Sequence, residues 1–185
     1  MNIFVLDNNI QKCAQYHCDK HVGKMLLESC QLLCTAHHVL DGDNKREGIL
    51  YKSTHKAHPA SIWCREKVDN YIWLYHLARH LSEEYTKRYH KVHLSWKRHS
   101  KVLSMPPSAQ IDVSRISRFE PSPHPLCMPD EYKIEGDTVQ SYRNYYLHEK
   151  SDFAQWNHSP KPPWWEVIEK PPITSSLRGF ANISV

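Results

Sequence analysis

Glycine is scarce in this chain, at five residues in 185. None falls in a GxGxxG or GxxxxGK pattern, which argues against a nucleotide-phosphate cradle. Long apolar runs are missing too. Stretches such as Ile3 to Leu6 fall far short of the ~20 residues a membrane helix needs, so no membrane partner is expected. No basic segment followed by an apolar run opens the chain, so no signal peptide is expected and a cytoplasmic location is. The six cysteines (Cys13, Cys18, Cys30, Cys34, Cys64, Cys127) contain no pair of CxxC units. They read as free thiols, most of them buried, in a reducing compartment. Excess charge is small as well: 24 Lys+Arg face 20 Asp+Glu, a formal +4.

Histidine is abundant, with 14 residues. Exposed imidazoles would add positive charge as pH falls through about 6.5. The fixed charge is also local. Residues 79–101 hold Arg79, Lys87, Arg88, Lys91, Lys97, Arg98 and Lys101 against only Glu83 and Glu84, a net +5. His80, His90, His93, His99, Tyr85, Tyr89 and Trp96 are interleaved. Cations mixed with aromatic rings suit phosphate contacts and stacking on unpaired bases, so nucleic acid is the expected partner.

The patterning predicts a mainly α fold: a compact single helical domain over 1–158, with a short N-terminal strand and irregular proline-rich segments. Asn2 to Leu6 reads as the strand, and Asp7-Asn8-Asn9 as a turn and helix cap. A helix is predicted from Ile10 to about Leu40. Its core face is Cys18, Val22, Met25, Leu26, Leu33, Ala36 and Leu40; His17, His21, Lys24, Glu28, Gln31 and Thr35 line the opposite stripe. His58-Pro59 starts a second long helix, running to about Arg88. Its core face is Trp63, Tyr71, Leu74, Leu77, Ala78, Leu81 and Tyr85. Its wet face is Arg65, Asp69, His76, Arg79, Glu83 and Lys87. Residues 102–136 carry six of the twelve prolines and read as an ordered irregular segment or a functional loop. Asp137 to Trp156 reads as helix. Residues 159–185 form a proline- and aromatic-rich tail that wraps the domain or docks a partner.

The densest constellation is His17, Cys18, Asp19, Lys20 and His21, continued by Lys24 and Glu28. Two histidines at i and i+4 can bind one metal ion or, when protonated, grip a phosphate. Lys20 and Lys24 offer amines, and Lys24–Glu28 is an i,i+4 ion pair. Gly23 inside the helix is unfavourable by about 1 kcal/mol, which points to close approach of a backbone or ligand. A second group, Thr54, His55, His58, Pro59, Ser61 and Arg65, surrounds a helix N-terminus that attracts anions. A third comprises Glu84, Arg88, Tyr89, Lys91 and His93. Cys127 sits in Cys127-Met128-Pro129-Asp130 with nothing to complete an ordered triad.

The order of these features resembles the pyrimidine-dimer DNA glycosylase/AP lyase group, the phage endonuclease V type, over about residues 1–95. The chain is also similar to small phage proteins. In that family a helix bearing His, Glu, Arg and Glu is followed by a His-Pro helix ending in a Glu, Arg, Tyr, His, Lys pattern. Here those places match His17, His58-Pro59 and Glu84, Arg88, Tyr89, Lys91 and His93. The resemblance implies a compact helical fold that bends DNA, flips a nucleotide and cuts the backbone through a Schiff base, without a metal. The family's amine belongs to a small residue exposed by methionine removal. Here position 2 is Asn2, which leaves Met1 in place. The family's catalytic Glu lies seven residues beyond the first helix histidine, where this chain has Lys24.

Lyase chemistry at an abasic site needs only an amine, a base and cations on the phosphates. Lys24, Lys20 or the amine of Met1 supplies the first. Glu28, Asp19, His17 or His21 supplies the second. His58, Arg65, Glu84, Arg88, Lys91, His93, Lys97 and Arg98 are the expected DNA-contacting set. The leading expectation is therefore a monomeric, phage-type enzyme that nicks DNA at damaged or abasic sites, such as those left by uracil excision, with no cofactor. Two alternatives remain open: a divalent-metal nuclease or phosphohydrolase with ligands His17, Asp19, His21 and His58, and a non-catalytic DNA- or RNA-binding takeover protein.

Overall fold

The computed structural model describes residues 1–42, 48–110 and 118–165. Six α-helices carry the fold: α1 (Ile10–Tyr16), α2 (Asp19–Asp41), α3 (Pro59–Glu66), α4 (Val68–Tyr89), α5 (Leu94–Leu103) and α6 (Thr138–Glu149). Helix α2 is central and packs against α3, α4 and α5, while α1 lies on α4. The mainly helical reading therefore holds. The N-terminal strand does not: among the described residues there is no strand. Ile3 to Leu6 are extended and buried, but their polar groups find side chains instead of a second strand. The Leu6 N–H donates to Cys13 Sγ, the Cys13 thiol donates to the Phe4 carbonyl, and Arg143 Nε donates to the Leu6 carbonyl at 2.9 Å.

Caps appear where the residues call for them. Asn9 accepts from the Lys12 N–H, His58 Nδ1 from the Ala60 N–H, and Asp137 from the Gln140 N–H. Both long predicted helices are broken, however. The first stops at His17 and restarts at Asp19, with His17 and Cys18 extended. No proline or glycine causes this break. The guanidinium of Arg88 enters there and donates to the Gln15 carbonyl at 2.8 Å, the His17 carbonyl at 2.8 Å and Asp19 Oδ1 at 3.2 Å. It thereby takes up carbonyls that a helix end leaves unpaired. The second long helix breaks at Lys67, where Asn70 Nδ2 caps the Trp63 carbonyl at 2.7 Å. Helix α4 ends one residue past Arg88, with His90 in the left-handed region at φ 54°. Helix α5, inside the basic stretch, is an element the periodicity did not suggest.

The predicted core face of α2 is buried apart from the half-buried Leu40. The opposite stripe is mixed: His17, His21 and Thr35 are buried, Glu28 and Gln31 half-buried, and only Lys24 is exposed. The Phe4 segment and α6 cover that side, with the Phe4 ring stacked on His21 and Tyr145. On α3–α4 the predicted wet face is exposed at Arg79, Glu83 and Lys87 and half-buried at Arg65 and His76, while Asp69 is buried and accepts from the Glu120 N–H.

Helix α6 ends at Glu149, short of the predicted Trp156. The irregular segment, whose first two residues belong to α5, is ordered in its described parts, 102–110 and 118–136. There Ser122 is held by Asn70 and by Trp63 Nε1; residues 111–117 lie outside the described set. The tail packs Pro162, Trp164 and Trp165 against the body, the two Trp rings beside Tyr146. Residues 166–185, with Lys170-Pro171-Pro172, lie outside it. All six cysteines are free, and all but the half-buried Cys127 are buried. No helix among the described residues is long and apolar enough to cross a membrane.

Arg88 has no exposed side-chain surface, and its charge is balanced by Glu84 Oε2 at 3.0 Å as well as Asp19. Removing one partner of a buried ion pair leaves an uncompensated charge, at about 3–5 kcal/mol. Arg88→Met is expected to lower the unfolding free energy by about that much in urea titration. A loss under 1 kcal/mol would show that the α1–α2 break does not depend on it.

Candidate active site

The floor of the candidate site is the exposed end of the α2 stripe. Thr35, one turn beyond Gln31, is buried and receives the Thr54 N–H at 3.1 Å. That bond draws the Thr54–His58 turn over α2. His55 adopts the left-handed region at φ 49°, and its carbonyl accepts the His58 N–H at 3.0 Å. His58 is thereby brought within electrostatic range of Glu28 and the chain's N-terminal amine.

Glu28 gathers the charges. Its Oε2 accepts the Asn2 N–H at 3.1 Å and lies 4.0 Å from the Met1 α-amine. Its Oε1 lies 4.0 Å from Lys24 Nζ. The carboxylate is 14 % exposed and Lys24 58 %, so a substrate can reach both. Burial first, then the N-terminal charge and His55, hold His58 below the ordinary imidazole range, partly opposed by Glu28. With Nδ1 accepting the Ala60 N–H, the neutral ring carries its proton on Nε2. Cys127 is half-buried in the same corner, and burial raises its thiol pKa, so it is not an activated nucleophile.

The remaining predicted residues divide by environment. His17 and His21 are 0 % and 4 % exposed. Burial holds their pKa values at about 4 and about 3. They stay neutral and do not grip phosphate. His17 Nδ1 bonds the Cys13 carbonyl, and His21 Nδ1 accepts the Tyr146 hydroxyl, which itself takes the Cys18 N–H. Asp19 is occupied by Arg88 and by the Asn157 N–H at 2.6 Å. Lys20 is exposed, over the Phe153 ring at 4.7 Å. Glu84 and Arg88 are buried as an ion pair. Arg65 is half-buried and donates to Ser61. The alternative metal quartet is not assembled: Asp19 is held by Arg88 and Asn157, and His17 and His21 lie under the Phe4 segment. Among the described residues no group of three His, Cys, Asp or Glu is placed to hold an ion.

The basic stretch adjoins this floor. His93 caps α5 through Nδ1, and its ring and that of Tyr85 lie over Gly23. A Cβ at Gly23 would stand 3.2 Å from the Tyr85 ring and 3.9 Å from His93. The close approach at Gly23 therefore comes from these rings, which leave little room for a Cβ. Lys91, Lys97, Arg98 and Lys101 are exposed beyond it. The α-amine and Glu28 were separate candidates in the sequence. Their pairing, and the contacts of Asn2 with residues near 125–142, left no local signal there.

Three histidines have pKa values pushed down by burial: His17 to about 4, His21 to about 3 and His124 to about 4. Each stabilises the fold fully above the unfolded value near 6.5, and that contribution is lost as pH falls toward the folded values. Unfolding near pH 5 should therefore take up as many as three protons. Urea midpoints should fall steadily from pH 6.5 to pH 4.5; a flat profile would contradict buried neutral rings.

One family model, described as pyrimidine dimer DNA glycosylase, matches residues 1–98. No match was found among curated proteins or among solved structures. The matched span takes in α1 to α4 and the start of α5, with Met1, Lys24, Glu28 and His58. More than half of the chain matches, and over that span it forms the helical body and the site floor: the chain belongs to the pyrimidine dimer DNA glycosylase family.

Proposed function

We propose that this protein cuts DNA at damaged or abasic positions by Schiff-base lyase chemistry, using the amine beside Glu28. The observation that carries the reading is the position of that carboxylate, 4.0 Å from the Met1 α-amine and 4.0 Å from Lys24 Nζ. The α-amine is taken as the nucleophile because the Asn2 N–H hydrogen bond to Glu28 fixes it beside that carboxylate, whereas Lys24 is an exposed, flexible side chain.

The neutral amine attacks C1′ of the ring-opened abasic sugar, and loss of water forms the Schiff base. Glu28 then takes the C2′ proton. The freed electron pair forms the enamine, and the C3′–O bond breaks with the phosphate leaving. Hydrolysis returns the amine. Attack on C1′ of a nucleotide still carrying a damaged base would expel that base first. His58 stands as a neutral donor beside the reacting amine. Lys91, His93, Lys97 and Arg98 support DNA binding next to the floor, Lys24 adds positive charge at the site, and Arg65 lies at the end of α3. These steps need no cofactor.

Borohydride should trap a covalent adduct on an oligonucleotide with one abasic site, and chelator should not reduce it. Absence of an adduct would sink the lyase reading. Nicking that survives borohydride and stops with chelator would support the metal-dependent alternative instead. Salt-sensitive binding without product, on intact, uracil-containing, dimer-bearing and abasic duplexes, would support the non-catalytic one.

Glu28→Gln should slow strand cleavage by roughly 10²–10⁴-fold in single-turnover assays while DNA binding persists. Neutralising Lys97 and Arg98 should weaken binding evenly across sequences. It should also lower the log–log salt slope by about 1 for each phosphate no longer neutralised; an unchanged slope would take the DNA off this surface.

A further inference from the structure

Residue 1 meets Glu28 because residue 2 is held on every side. The Asn2 side chain accepts the Tyr142 hydroxyl at 3.0 Å and the Ile3 N–H at 2.8 Å. Its amide nitrogen donates to the Cys127 carbonyl at 2.9 Å, and its main-chain N–H donates to Glu28 at 3.1 Å. Tyr142 is buried, and its single hydroxyl proton is shared between Asn2 Oδ1 and the Pro125 carbonyl at 2.8 Å. Burial raises its phenol pKa far above the usual range, so it remains a neutral donor.

Chain termini ordinarily fray. Here Asn2, next to the terminal residue, is tied to two segments more than 120 residues away. Those segments lie outside residues 1–98, the span that matches the family.

We propose that Asn2 is a positioning residue, clamped by Tyr142 and the Cys127 main chain, that aims the residue-1 amine at the sugar carbon and at Glu28. This deepens the lyase reading and rests on it. The C-terminal half then completes the active site. Its contribution is orientation, and a misplacement of about 1 Å at a reacting centre can slow a reaction about 100-fold.

Two variants test the clamp. Tyr142→Phe removes one hydroxyl. Asn2→Leu keeps the side-chain shape without polar atoms, and residue 2 stays large, so Met1 is retained. Each should slow borohydride trapping at saturating protein by about 10- to 100-fold, with DNA Kd within about twofold of wild type. The double variant should be no slower than the slower single variant, because both break one clamp. Peptide mapping should show the adduct moving in part from the α-amine to Lys24. Melting curves check that the variants are folded.

Trapping within about twofold of wild type in both variants, or Kd weakening in step with rate, would overturn the clamp. If wild-type protein forms no adduct, the lyase reading fails separately. The clamp is then judged without DNA, by reductive methylation of the α-amine with formaldehyde and cyanoborohydride. Faster labelling in both variants supports the clamp, and equal labelling overturns it.

Discussion

The buried guanidinium of Arg88 organises the whole body. It ends α1, permits the restart of α2 and ties both to α4, using the Gln15 and His17 carbonyls and the carboxylates of Asp19 and Glu84. A charge without exposed surface persists only when its donors are satisfied. Here those donors lie across the meeting of three helices. The docked Asp19 extends the arrangement by holding the chain at Gln155 to Asn157 through its main-chain N–H and its carboxylate. The C-terminal segment is thus attached to the same junction.

Burial sorts the ionisable groups of one helix stripe into two uses. His17 and His21 lie under the Phe4 segment and Tyr146, where desolvation keeps them neutral and structural. One and two turns further along α2, Lys24 and Glu28 emerge where solvent and the N-terminal amine meet. Part of the abundance of histidine in the composition is therefore structural and not surface charge. The fixed cations of the α4–α5 region supply that charge, and Gly23 lets their supporting rings approach α2.

Much of the frame was legible locally. Asn9, His58-Pro59 and Asp137 mark helix starts with short-range chemistry, and the apolar spacing of α2 and α4 picks out their core faces. The order of His17, His58-Pro59 and the Glu84–His93 run also carried the family. Periodicity did not foresee the interruptions at His17–Cys18 and Lys67. Both depend on side chains, Arg88 and Asn70, that reach the carbonyls from another element. Nor did it distinguish buried from wet members of the α2 stripe, because a helical wheel does not say what covers its second face.

By itself the sequence determined most of the segments that coil, though not α5, several of their caps, where fixed positive charge collects and which family the first half resembles. These follow from neighbours within a few residues, where spacing and side-chain type decide the outcome. Tertiary structure decided which titratable groups are dry, where the long helices break and how the N-terminal residue is held. Those depend on hydrogen bonds spanning 73 residues from Arg88 to Gln15 and 140 from Tyr142 to Asn2. Local patterns cannot encode such pairings, because each is settled by which distant polar group can satisfy a donor or acceptor that packing has removed from water.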